Sequence, residues 1–184
     1  MNLPNKLTLL RVCMIPFFVL FARMSPLWAQ CVAVGIYALA CVTDALDGRI
    51  ARSRNLITDF GKFMDPIADK LLVMSAMIVL TAQGRMPDWV CILMLGREFL
   101  VSGFRLVAVE NGTVIAAGPL GKLKTVFQML ATIALMLLVP VEGSALLGRP
   151  GVIAANVLLY IALALTVVSG ADYIIRNRSC IRDM

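Results

Sequence analysis

The apolar run from Leu71 to Ala82 is too short to cross a bilayer alone, since a crossing takes about 20 residues. A helix that crosses here must reach back past Asp69 towards Phe63. That places Asp65 and Asp69 at or below the membrane surface, where ionisable groups are costly and by default functional. The segment just before is the most acidic in the chain. It reads DALDGRIARSRNLITDFGKFMDPIAD and holds five of the eleven acidic residues: Asp44, Asp47, Asp59, Asp65 and Asp69.

Asp44 and Asp47 are three apart, Asp65 and Asp69 four apart. On helices both spacings put the two carboxylates on one face, one turn from each other. With the two helices side by side, four carboxylates converge. At ~4 Å and an effective dielectric of about 20, each like-charge pair repels by roughly 4 kcal/mol. Cations are needed to hold such a group, and oxygen-only ligands suit Mg²⁺ or Mn²⁺ better than zinc. Gly48, Ala51, Gly61 and Ala68 lie among the charges and leave room for a ligand to approach the backbone. Paired acids beside an apolar run often form only a solvated loop, but the depth forced on Asp65 and Asp69 favours a metal site.

Asp44-x-x-Asp47-Gly48-x-x-Ala51-Arg52, eight residues, then Gly61-x-x-x-Asp65-x-x-x-Asp69 resembles the complete signature of the CDP-alcohol phosphotransferases. Members of that family move a phosphatidyl or related group from a CDP-linked donor onto an alcohol. The resemblance implies that Asp44, Asp47, Asp65 and Asp69 hold two metal ions, with Asp69 also the base for the acceptor hydroxyl. It also implies CDP-diacylglycerol as donor, with the cytidine near Asp44, Gly48, Ala51, Arg52 and Gly61, and a homodimer.

The rest of the chain is apolar. Of 184 residues, 60% are hydrophobic and mean hydropathy is +0.89, which marks a membrane protein. The length allows about six crossings and no sizeable domain outside the bilayer. A net charge of +6 then points to cytoplasmic ends, anionic lipid and phosphorylated substrates, with no nucleic acid partner. Having no histidine, the chain has no His-dependent triad, His general base or ordinary zinc site. Five cysteines without CxxC spacing carry no chemistry.

These features predict an all-α integral membrane protein. It is a six-transmembrane-helix bundle with a short amino-terminal interfacial helix, and residues 1–184 form one membrane-embedded domain. Met1 to Arg11, with its Asn5/Thr8 polar face, reads as the interfacial helix or turn, followed by a first span over Val12 to Ala22. Span two covers Leu27 to Thr43 and continues through Arg52; Ser53 to Asp59 is a turn. Span three starts near Phe60 or Phe63, with Pro66 as a kink or first-turn residue. Gly84 to Pro87 is a turn, and span four runs from Trp89 to Ala108. Span five opens at Gly121 and ends near Val139, and span six covers Gly151 to Gly170. Only Arg23, Arg85 and Arg149 of the seventeen basic residues then fall on outer loops. Both termini and the aspartates are thus expected on the cytoplasmic side of the cell membrane.

Further cations lie beyond the aspartates. Arg97 and Arg105 are eight apart in span four, with Glu98 beside the first, and Lys122 and Lys124 open span five. Glu98 can simply neutralise an arginine. The surplus positive charge favours an anion pocket, in which Arg97, Arg105, Lys122 and Lys124 bind a phosphate on the incoming alcohol. That points to glycerol 3-phosphate over serine or ethanolamine. LPNKLTLLR, RE…S..R and GK.KT are also similar to stretches of the family's glycerol 3-phosphate-using members. Another acceptor, such as inositol phosphate, remains open at this stage, as does a divalent-cation transporter.

Overall fold

The computed structural model describes residues 3–53, 59–110, 118–139 and 147–177. Side chains are described for these except at 3–4, 44–53, 59–63, 65–66 and 109–110. The described residues form six helices: α1 (Leu3–Ala22), α2 (Leu27–Ser53), α3 (Asp59–Ala82), α4 (Asp88–Glu110), α5 (Pro119–Leu138) and α6 (Gly148–Arg176). Asn5–Ala22, Pro119–Leu138 and Gly148–Arg176 are long and apolar enough to cross a membrane, and Leu27–Thr43 is a shorter apolar stretch.

Two of the expected boundaries need correction. No separate interfacial helix precedes the first span, because α1 is continuous from Leu3 to Ala22. Pro4 falls in the first turn, where a missing N–H is harmless, and no glycine or proline breaks the chain between it and Val12. Pro16 lies inside α1 and forgoes one backbone bond without ending the helix. At the other end, α6 continues past Gly170 to Arg176. Its last turn is charged and closed by Arg176 Nε donating to Asp172 Oδ1 at 2.6 Å, an i,i+4 pair of the helix-supporting kind. Pro66 falls in the interior of α3, and the helix runs through it.

The chain divides into two compact units, one holding α1–α3 and the other α4–α6. In the first, α1 packs on both α2 and α3. Its inward face is a single stripe at spacings of three and four: Asn5, Thr8, Arg11, Ile15, Phe18 and Ala22, all buried. The facing stripes carry small residues, Ala29, Ala33 and Ala40 on α2 and Ala68 and Ala76 on α3. Small side chains let helix backbones approach closely, as membrane helix contacts require. Tyr37 fills the space the alanines leave and packs its ring against Phe18, 5.7 Å between centroids.

A polar knot closes one end of this unit. The Ala22 carbonyl accepts from Gln30 Nε2 at 3.0 Å and from Gln83 Nε2 at 2.6 Å. Gln30 also donates to the Met24 carbonyl, and its Oε1 accepts from Arg85 Nη1 at 2.9 Å. Carbonyls at a helix C-terminus have no partner within the helix; here Gln30 of α2 and Gln83, in the turn just after α3, supply one. Arg85 is buried, and desolvation pushes its guanidinium below its ordinary pKa. Gly84 makes the turn into this knot at φ +69°, a conformation open to glycine but strained for other residues.

In the second unit, α6 packs on both α4 and α5. Its inward face is again mostly small, with Gly151, Ala155, Ala162, Ser169 and Gly170 buried beside Leu159.

The knot generates a stability prediction. Gln30→Ala removes one acceptor of Arg85 and the donor to the Ala22 and Met24 carbonyls, which costs about 2 kcal/mol. The thermal midpoint in detergent should fall by about 4–8 °C. Gln30→Glu keeps the acceptor for Arg85 but sets a carboxylate oxygen against the Ala22 and Met24 carbonyls, so it too should lower the midpoint.

Candidate active site

The knot sets a register for all three helices of the first unit. Gln30 and Gln83 meet one carbonyl, that of Ala22. Fourteen residues along each helix from that point, about 21 Å at 1.5 Å per residue, lie Thr8 on α1, Asp44 on α2 and Asp69 on α3. Seventeen residues along lie Asn5, Asp47 and Pro66, next to Asp65. The backbone thus carries all four aspartate positions at one end of one three-helix unit, within about a turn of a common level. α2 is helical through Asp44, Asp47, Gly48, Ala51 and Arg52, and α3 through Gly61, Asp65 and Asp69. The three- and four-residue spacings therefore act as helix spacings.

Asp69 is partly buried, and its neighbour Ala68 is fully buried. The side chains of Asp44, Asp47, Gly48, Ala51, Arg52, Gly61 and Asp65 lie outside the described ones. Among the described side chains no group of three or more metal-ligating residues forms. As a donor set, four carboxylates with no imidazole or thiolate fit a hard divalent ion.

The second unit holds the other cations. Glu98 on α4 accepts from Arg97 Nη1 at 3.0 Å and from Lys124 Nζ on α5. Arg97 Nη2 also donates to Ser169 Oγ on α6 at 3.0 Å. One carboxylate thus faces two cations, and the cluster keeps one net positive charge. Lys124 is buried and tied to Glu98, so it sits deeper than its place in the GKLKT stretch suggests. Lys122 is exposed near the start of α5. Arg105 is exposed too, its guanidinium carbon 5.7 Å from the centre of the Tyr173 ring. Phe104 packs edge-on against the same ring at 6.0 Å, and a cation over such a face is attracted by the ring's electrons.

Sequence reasoning assigned no role to Ser169 or Gly170. A Cβ at position 170 would lie 3.0 Å from Arg97 Cγ, so the glycine is what lets the arginine stem lie flat against α6. Nor did it assign a role to Arg11, 1% exposed between Thr8 and Ile15 on the inward face of α1. The three-residue spacing of Asn5, Thr8 and Arg11 was the available signal.

Comparison with known proteins decides the family. The sequence model of the CDP-alcohol phosphatidyltransferases matches residues 1–168. The chain belongs to that family. Among its relatives is a Bacillus subtilis (strain 168) protein named CDP-diacylglycerol–glycerol-3-phosphate 3-phosphatidyltransferase. It is 41% identical over 190 residues, covering 96% of this chain and 95% of the relative. A Mycobacterium tuberculosis (strain H37Rv) protein named probable phosphatidylglycerophosphate synthase is 44% identical over 178 residues, covering 95% and 81%. An Escherichia coli (strain K12) protein with the same name as the first is 36% identical over 190 residues, covering 99% and 98%. Apolar helices and membership in the CDP-alcohol phosphatidyltransferase family together mark the chain as an integral membrane protein. Membership also sets aside the transporter reading.

The Glu98 cluster yields a second prediction. Glu98→Gln leaves Arg97 and Lys124 sharing a neutral acceptor in a largely buried place, at a penalty of about 3 kcal/mol. The thermal midpoint in detergent should drop by about 6 °C or more.

Proposed function

We propose that this enzyme transfers the phosphatidyl group of CDP-diacylglycerol to sn-glycerol 3-phosphate, giving phosphatidylglycerol phosphate and CMP. The observation that carries the reading is similarity along nearly the whole chain to relatives named for that reaction. The charge distribution agrees with it. An acidic group in one unit suits a cation-bridged diphosphate, and surplus positive charge in the other suits an acceptor bearing its own phosphate.

Asp44, Asp47, Asp65 and Asp69 would hold two divalent ions, Mg²⁺ or alternatively Mn²⁺. When bound, the ions would neutralise charge on the diphosphate. Asp69 takes the proton from the acceptor hydroxyl. The freed oxygen forms a bond to the phosphatidyl phosphorus, and the bond from that phosphorus to the oxygen of CMP breaks. Asp44, Gly48, Ala51, Arg52 and Gly61 bind the nucleotide end of the donor. Arg97, Arg105, Lys122 and Lys124 draw in the phosphate of glycerol 3-phosphate, with Arg105 and Lys122 the exposed pair. In this reading six crossings place both termini and the reaction on the cytoplasmic side of the cell membrane, and the enzyme is a homodimer.

Purified enzyme given CDP-diacylglycerol and each acceptor in turn tests the assignment. CMP release is expected with glycerol 3-phosphate, lost on chelation with EDTA and restored by Mg²⁺. Release with serine or inositol phosphate and none with glycerol 3-phosphate would reject the acceptor. In the same assay Asp69→Asn should lower kcat at least 100-fold, and full turnover by that variant would remove Asp69 as the base.

A further inference from the structure

Among the described residues of the first unit, Arg11 has the most sheltered charge. It is 1% exposed and continues the stripe that buries Ile15 and Phe18. Polar residues between membrane helices often serve as glue, and Asn5 and Thr8 need no other account. A guanidinium is different, because burying a charge is costly unless an opposite charge compensates it. Along residues 1–85 every acidic residue lies between Asp44 and Asp69.

The register narrows the choice. Arg11 is one turn from Thr8, whose level is that of Asp44 and Asp69. Side chains on a helix lean towards its N-terminus, which for Arg11 is the direction of that level. Its six-atom reach covers the remaining rise of about 4.5 Å.

We propose that Arg11 is the built-in counter-charge of the aspartate group. It is a positioning residue that offsets the mutual repulsion of the carboxylates before any metal binds, and it gives up part of that task when metal arrives. The physical reason is the repulsion among carboxylates sharing a level, which an adjacent fixed cation offsets. The role deepens the metal-site reading and rests on it for its second half only.

Thermal unfolding in detergent tests both halves. In EDTA, Arg11→Gln should lower the midpoint, and adding Asp69→Asn to it should lower the midpoint by much less than Asp69→Asn does alone. Additive losses would overturn the proposal. With Mg²⁺, the metal-induced rise in midpoint should be larger in Arg11→Gln than in the unaltered enzyme by about 4 °C or more. Half-saturation should come at an Mg²⁺ concentration at least about 5-fold lower. Arg11→Lys, which keeps the charge, should stay close to the unaltered enzyme in both respects. An equal drop with and without Mg²⁺, or Arg11→Lys behaving like Arg11→Gln, would mean packing and overturn the counter-charge. An unaltered enzyme with no response to Mg²⁺ would sink the metal reading instead, and the EDTA comparison would still decide Arg11.

Discussion

One backbone carbonyl organises the half of the molecule that carries the aspartates. Ala22 ends α1, and its oxygen is met by Gln30 of α2 and by Gln83 in the turn just after α3. In a bundle of mostly aliphatic and alanine faces, van der Waals packing alone discriminates weakly between registers. Directional hydrogen bonds to a single acceptor discriminate strongly. The knot lies about 20 Å along the helix axes from the charged end, yet it sets the axial level of the helix positions there. The bond from buried Arg85 to Gln30 adds to its rigidity, since a buried donor is expensive to leave without an acceptor.

The two units handle charge in different ways. Along residues 1–85 every acid falls between Asp44 and Asp69, interleaved with Arg49, Arg52, Arg54 and Lys62, while one further arginine is sealed into the inward face of α1. The α4–α6 unit sets Arg97 and Lys124 around Glu98. Among the described residues the Glu98 cluster keeps one net positive charge. Incomplete neutralisation in a sheltered place is unfavourable for folding and favourable for binding a charged ligand. A CDP-linked lipid and a phosphorylated alcohol are both anionic. In the proposed reading the α4–α6 surplus meets such charge directly, and the aspartates would do so through divalent cations.

Much of this was legible in the residues. The aspartate spacing, the short apolar run after Asp69 and the Gly84 turn lead to α2, α3 and the break before α4 with boundaries close to those observed. Other features were hidden for physical reasons. The amino-terminal helix looked like two pieces because its first half carries Asn5, Thr8 and Arg11 and its second half only apolar residues. A change of polarity along one helix face is easily mistaken for a change of element. Lys124 looked like a surface lysine at a helix start, since nothing local shows that Glu98, 26 positions earlier, reaches it. Gly170 is silent for the same reason: its role depends on an arginine stem from another helix.

The acceptor at Ala22 belongs to the main chain, and this shapes how the gene can change. A side chain at position 22 can be exchanged, within the space available, without removing the oxygen that both glutamines bind. The matched stretches that lead from it to Thr8, Asp44 and Asp69 have no such freedom. Deleting or inserting one codon within any of them turns the residues beyond it by about 100° around the helix and moves them about 1.5 Å along it. Three equal spacers of this kind can therefore exchange their exposed residues while their buried stripes, and above all their lengths, stay constrained.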